Sequence, residues 1–349
     1  AYGLYQKAQA ADISGSLPSL PTLQRVAALE CAIALDPDFE QAYSDLSISY
    51  ARLKSIVSAQ GYRARSGSLL DQLKRRRPRS RAAWAIEVEL EDDMYALATR
   101  CVDAILRGDG LYAYPHPTGW HDVRAGLGRA HAHGGLHSEG HQYFSLVDRR
   151  GEPQRYDNWL HQLGCLVAIG EFPAALEHAQ RMKAVTPTPQ ALLTEWEFIA
   201  HLGLGNFDAA LDLSTQLPDL NHWFPAEAIV YAFEGQAVAF DSPPNEYEDA
   251  ISDNDITGYS LLAIGQIEQG LEHLEQRVRT LKEFGDCHWL GFRLPIYMCL
   301  FTTEVKQHPR FKQLVDALHL DVDSRTRLQQ KISSISSVTG IEAAPLLAI

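Results

Sequence analysis

Apolar residues recur along this chain at spacings of three and four, in windows of about ten to eighteen residues, with polar residues on the opposite side. That period belongs to two-faced helices. The windows place helices at about 1–13, 19–34, 39–56, 59–76, 80–90 and 94–106. Pairs follow across about 119–149, 153–185, 189–217 and 223–240, then single helices at about 252–264, 267–284, 288–304 and 308–319. Two stretches interrupt the pattern. Gly108 to Pro117 holds Gly-Asp-Gly and two prolines. Asp241 to Asp255 opens on Asp241-Ser242-Pro243-Pro244-Asn245 and carries Glu246, Glu248, Asp249, Asp253 and Asp255. From Asp321 a capping helix is expected, fading through Ser333–Ser337 into the apolar end Pro345–Ile349. The segments are thus 1–107, 108–240, 241–320 and 321–349.

A short pattern repeats between the helices. Gly170-Glu171-Phe172-Pro173-Ala174-Ala175-Leu176 returns 35 residues later as Gly205-Asn206-Phe207-Asp208-Ala209-Ala210-Leu211. Weaker copies are Gly135-Leu136-His137-Ser138-Glu139-Gly140 and Gly265-Gln266-Ile267-Glu268-Gln269-Gly270-Leu271. The glycine suits a helix end, where a positive φ is needed. The apolar residue after it packs across the turn, and the small residue lets the second helix approach the first. One such pair cannot bury its apolar face alone, so neighbours stack.

Trp159, Gly170, Phe172, Ala175 and Pro187 stand at the signature spacing of the tetratricopeptide repeat family, which the chain resembles. Ala32-Ile33-Ala34-Leu35-Asp36-Pro37 is similar to the end of one such repeat, and Ala42-Tyr43, Leu46 and Tyr50 to the first helix of the next. The Gly205 copy lacks the opening Trp and the closing Pro. The resemblance covers roughly residues 1–320. It implies an all-α fold, a right-handed superhelical solenoid of antiparallel helix pairs. Ala1-Tyr2-Gly3-Leu4-Tyr5 and His308-Pro309-Arg310-Phe311-Lys312-Gln313-Leu314 also resemble the repeat region that follows the effector domain in some bacterial winged-helix transcription regulators and nucleotide cyclases. No winged helix or cyclase motif is present in this sequence.

Composition narrows the function. The 349 residues are 46% hydrophobic and 21% charged, enough for a large core and unlike a disordered chain. A net charge of -13 argues against nucleic acid as the partner. The one basic run, Lys74-Arg75-Arg76-Arg77 with Arg79 and Arg81, reads first as a solvated helix end suited to the helix dipole, and second as a patch for phosphate or an acidic partner. No apolar run spans a bilayer. Cys31, Cys101, Cys165, Cys287 and Cys299 show no metal-type spacing, and their odd number leaves at least one unpaired. Reduced cytosolic thiols are the first reading and one disulfide the second; the expected setting is cytoplasmic, or periplasmic if a parent chain carries a membrane anchor. The chain begins at Ala1 inside a helical window, so it is expected to be a piece of something longer.

His116, His121, His131, His133, His137 and His141 fall within 26 residues. On one unbroken helix His133, His137 and His141 would share a face and could hold zinc. Gly134-Gly135 breaks that face, so His131 and His133 belong to one helix and His137 and His141 to the next. The alternative places His131 and His137 in slots the family fills with aromatics, hydrogen-bonded within the core. In the family the inner surface comes from the first helix of each pair. The register implies Asp122, Ala125, Arg129, Ala132 and His133 there, and Asp157, Leu160, Gly164, Val167 and Ala168 in the next pair. The lysines and asparagines with which chaperone-binding members clamp a C-terminal carboxylate are absent. The mixture of Asp122, Arg124, Arg129, His133, Asp157, Leu160 and His161 suits a protein or peptide segment instead. Trp159 reads as core. Trp120 and Trp223, beside prolines, are the better candidates for exposed contacts. The 246–255 stretch lacks the order of a calcium loop.

No GxSxG, GxxxxGK[ST], strand-borne GxGxxG or kinase set occurs, and no cofactor is implied. The sequence thus leads to a protein- or peptide-binding module, the sensor or interaction portion of a larger bacterial signalling protein. Two alternatives stand beside it. One is an enzyme or a metal or small-molecule sensor built on residues 116–141. The other is a homo-oligomerisation scaffold docking through Pro345–Ile349.

Overall fold

The computed structural model describes residues 1–10, 20–52, 59–78, 80–90, 94, 96, 97, 99–101, 123–148, 156–185, 191–217, 224–236, 254–284 and 288–338. Every regular element among the described residues is a helix, so the protein is all-α. The chain divides into two compact units, Ala1–Glu91 and Asp92–Ile349.

In the first unit α1 is Tyr2–Ala10, α2 Leu20–Leu35, α3 Glu40–Arg52, α4 Ala59–Arg76 and α5 Arg81–Leu90. Leu29, Ala32, Ala42, Leu46, Leu73, Ala82 and Ile86 close its core. The α2–α3 turn is set by its own sequence: Asp36 accepts the Asp38 N–H at 3.1 Å, and the Tyr43 hydroxyl donates to the Pro37 carbonyl at 3.0 Å. Ser80 caps α5 by accepting the Ala83 N–H at 3.2 Å. A buried ion pair, Arg25–Asp45 at 3.7 Å, crosses from α2 to α3, and Arg25 also donates to Ser49 Oγ and to the Ala8 carbonyl.

The second unit is built from hairpins. Its helices are α6 Val123–His133, α7 His137–Asp148, α8 Tyr156–Ala168, α9 Phe172–Val185, α10 Ala191–Gly203, α11 Phe207–Ser214, α12 Ala226–Phe233, α13 Asn254–Ala263 and α14 Ile267–Phe284. Gly135, Gly170, Gly205, Gly235 and Gly265 all take φ between 72° and 85°, a region closed to most side chains. Around each, the same two bonds recur. At the first, the Gly135 N–H reaches the Ala132 carbonyl and the Leu136 N–H reaches the His131 carbonyl, and the other four repeat it. This is the Schellman closure of a helix. Five residues on, the small residue appears each time a second helix is described: Gly140, Ala175, Ala210, Gly270. A Cβ at Gly140 would lie 2.9 Å from Ala132 Cβ and 3.0 Å from the Gly128 carbonyl oxygen, so only hydrogen fits between α6 and α7.

The next segment departs from the hairpin pattern. The helix expected over 288–304 stops early: α15 is His288–Tyr297, followed by a 3-10 turn at Met298–Leu300, extended Phe301, and α16 Thr303–Gln307. Pro295 lies inside α15 and removes a backbone donor. Thr302 restarts the helix by accepting the Val305 N–H. In α15, Leu290, Phe292, Leu294, Ile296 and Tyr297 are all buried, which places apolar side chains around the helix rather than along one stripe. A helix of that kind must be enclosed.

It is enclosed by the first helices of the hairpins. α15 lies against α6 and α8, touches α10 through Trp196 and reaches α13 through Tyr259. Two glycines permit the approach. A Cβ at Gly291 would meet the His133 carbonyl oxygen at 2.5 Å, and one at Gly164 would meet Phe292 and Ile296 within 2.9 Å. α17 (Pro309–Ala317) is tied to α14 by Arg310, which grips Glu275 with two bonds of 2.8 and 2.9 Å. α18 (Val322–Val338) continues as helix through the serine-rich stretch and docks on the α6–α7 turn, with Leu328 against Gly134 and Gln329 donating to Glu139.

Candidate functional site

Two of the residues that sequence reasoning singled out, His133 and His161, meet beneath α15, among buried groups it did not name. α6 supplies Arg129 and His133, one turn apart on the same face. α8 supplies Asn158, His161 and Gln162. α10 supplies Glu195 and Trp196, α13 supplies Tyr259, and α15 supplies Phe292 and Tyr297. All ten are buried. His133 Nε2 lies 3.1 Å from His161 Nε2, so one ring donates a proton to the other. Phe292 is the centre of the group. Its ring stacks on His133 at 4.9 Å, on His161 at 4.9 Å and on His137 at 5.7 Å, and meets Trp196 edge-on at 5.9 Å. The Tyr297 hydroxyl donates to the Glu195 carboxylate, and its ring stacks on Tyr259 at 4.4 Å. Gln162 donates to Ser145 of α7 at 3.1 Å.

Of the residues expected to line a groove, His133 and His161 are brought together here, Arg129 is buried on the same helix face as His133, and Leu160 is half-buried against the same core. The two histidines are covered by α15, whose apolar circumference needs a place out of water. Asp122 and the side chains of Arg124 and Asp157 lie outside the described residues. So do His116, His121, Trp120, Trp223, Cys287, residues 246–253 of the acidic stretch and Pro345–Ile349, while Asp255 falls in the first turn of α13.

The four histidines weighed for zinc bond in four directions. His131 Nδ1 bonds the Leu127 carbonyl at 2.7 Å and its ring packs on Tyr143. His133 pairs with His161. His137 Nε2 donates to the Phe292 carbonyl at 3.1 Å. His141 lies against Ser145. The turn at Gly134–Gly135 separates the first two from the last two, and no cluster of three His, Cys, Asp or Glu side chains able to hold a metal occurs among the described residues. Burial pushes the His137 imidazole down to about 4, against the pull of its carbonyl partners, and lowers His131 and His141 as well. Burial raises the thiols of Cys165 and Cys299, the latter to about 12, so neither is poised as a nucleophile. The described cysteines are free thiols.

Sequence reasoning did not find Phe292, Tyr297, Glu195 or Tyr259. One signal was present: the segment from Leu290 to Tyr297 is apolar on successive sides, unlike the one-sided helices before it. What it packs against is a long-range fact that helical periodicity does not carry. Compared with known proteins, the chain matches no family model, and no curated protein is significantly similar to it.

Proposed function

We propose that this chain is a non-catalytic binding module of tetratricopeptide-like repeats, the interaction portion of a larger signalling protein. It holds a protein segment across the first helices of its hairpins. The observation that carries this reading is the position of α15. A segment of the chain itself packs on the first helices of the hairpins, touching α6, α8, α10 and α13, and in this reading that face is the one that receives guests. Support for the repeat architecture comes from the five glycine-closed turns, spaced 35, 35, 30 and 30 residues apart, each with the same pair of backbone bonds. A face that accepts an aromatic-studded helix in cis has the chemistry to accept one in trans: flat aromatic and imidazole surfaces, glycine gaps and a few polar anchors.

The test is a fluorescein-labelled peptide of residues 288–301 added to protein in which the resident helix is loosened by Phe292→Ala or by Ile296→Ala. Expected is saturable binding to the folded variant, about tenfold tighter than to the unaltered chain, because the competing cis helix is weakened. If neither variant binds the peptide while both keep their helical circular dichroism, the face is ordinary core and the reading fails.

A further inference from the structure

We propose that the N-terminal unit carries a second, separate docking site: a cleft between the C-terminal ends of α2 and α4 that takes a short acidic peptide bearing an apolar side chain. This inference stands on the cleft alone and does not require the repeat reading or the face beneath α15.

The cleft encloses about 640 Å³ and is lined by Ile33, Ala34, Pro37, Tyr43, Gln72, Arg75 and Arg76. That size suits a few peptide side chains. Its basic wall is selective in origin. Four successive cations, Lys74 to Arg76 at the end of α4 and Arg77 just after it, divide into two pairs by their partners. Lys74 turns to Glu87 of α5, and Arg77 reaches Glu40 at 3.1 Å and Asp38 at 4.0 Å. Those two hold the unit together. Arg75 and Arg76 are exposed, and neither has an ion pair or hydrogen bond with any described residue. They flank the cleft with two unspent guanidinium groups, the side chain best shaped for carboxylates.

Of the nearby acids, Asp38 and Glu40 are drawn to Arg77, while Asp36, which only accepts the Asp38 N–H, stays a negative group at the same end; the pull on an anion comes from Arg75 and Arg76. Behind the cleft the Tyr43 hydroxyl is committed to the Pro37 carbonyl, and its ring, 1% exposed, backs the apolar floor. Burial raises the proton affinity of that phenol, the Arg76 charge lowers it, and Asp38 and Asp36 raise it. The remaining lining is apolar: Ile33, Ala34 and Pro37, with Leu35 68% exposed next to them in sequence. A hydrated phosphate or a nucleic-acid backbone has no use for that floor, whereas a peptide with carboxylates around an aliphatic side chain satisfies both walls. The chain's net charge of -13 makes a local cationic cleft a point of selective attraction.

A fluorescein-labelled heptapeptide with a central leucine and glutamate elsewhere tests the site by anisotropy on the full chain. Saturable one-to-one binding that weakens with added salt is expected. Arg75→Ala with Arg76→Ala should weaken it about tenfold or more. Both arginines are exposed, so the helical signal should be unchanged. Replacing the central leucine of the peptide by serine should weaken binding, and so should Ile33→Ser. The proposal is overturned by an absence of saturable binding up to about 1 mM peptide, or by an affinity that ignores the two arginines. It is equally overturned if inorganic triphosphate displaces the peptide as well as unlabelled peptide does, or if the serine peptide binds as tightly as the leucine one, since either outcome leaves a bare anion site.

Discussion

The two units bury polar chemistry in opposite ways. In the N-terminal unit the interior charge is fixed and answered in kind. Arg25 and Asp45, 4% and 0% exposed, face each other, and Arg25 also donates to Ser49 and to the Ala8 carbonyl. In the C-terminal unit five described histidines are buried, His131, His133, His137, His161 and His178, and their polar tips bond carbonyls or one another. Ions that answer each other tolerate a wide pH range, whereas imidazoles held neutral by burial resist acid only at a cost. The ion pair fastens α2 to α3, which adjoin in sequence. The imidazoles fasten α6 and α8 to a helix that arrives much later.

Removing the keystone of the second interior gives the largest expected effect. Phe292→Ala empties the space between three imidazoles and Trp196 and should cost about 4 kcal/mol, read by urea denaturation followed through circular dichroism. Breaking the first interior should come close behind. Arg25→Leu leaves Asp45 buried without its cation and should cost about 3 kcal/mol, while Arg25→Leu with Asp45→Leu should recover most of the loss. A double variant no better than the single one would mean the pair is not what the site needs.

Acid should separate the two units more cleanly than mutation. Above the ordinary histidine value His137 is neutral both folded and unfolded, so its full contribution is present. As pH falls from about 6.5 toward 4, the unfolded chain takes up a proton that the folded chain refuses. The loss should reach about 3 kcal/mol near pH 4 for this one group, and the lowered His131 adds in the same direction. His137→Gln should flatten that slope, measured as denaturation midpoints across the range. A slope unchanged by the substitution would move the acid sensitivity elsewhere. The smallest effects belong to the turns and the surface. Gly205→Ala meets no neighbour within 4 Å, so only its φ of 72° penalises it, by about 1 kcal/mol. Arg310→Ala should cost less than about 1 kcal/mol, because Glu268 and much of the arginine remain in water.

Local signals were legible and distant ones were not. The glycine turns at 135, 170, 205 and 265 were read directly, because a Schellman closure depends on one residue type at one place. The division of His131 and His133 from His137 and His141 followed from the same glycines. The break after Tyr297 was missed because apolar periodicity continues through Met298, Leu300 and Phe301, while Pro295 and the Thr302 cap act on hydrogen bonds that periodicity does not see. The cover over His133 and His161 was missed for a different reason. Register places a residue on a face of its own helix, but whether that face meets water depends on a segment 155 residues beyond His137.

That separation has a consequence for how the protein is made. At about 5–20 residues per second, the stretch between His137 and Phe292 takes roughly 10 to 30 s to synthesise. Throughout that interval the nascent hairpins hold their aromatic and imidazole face uncovered, and the lid does not yet exist. The emerging chain therefore spends roughly 10 to 30 s as a sticky surface, the kind of species that chaperones shelter and aggregates recruit.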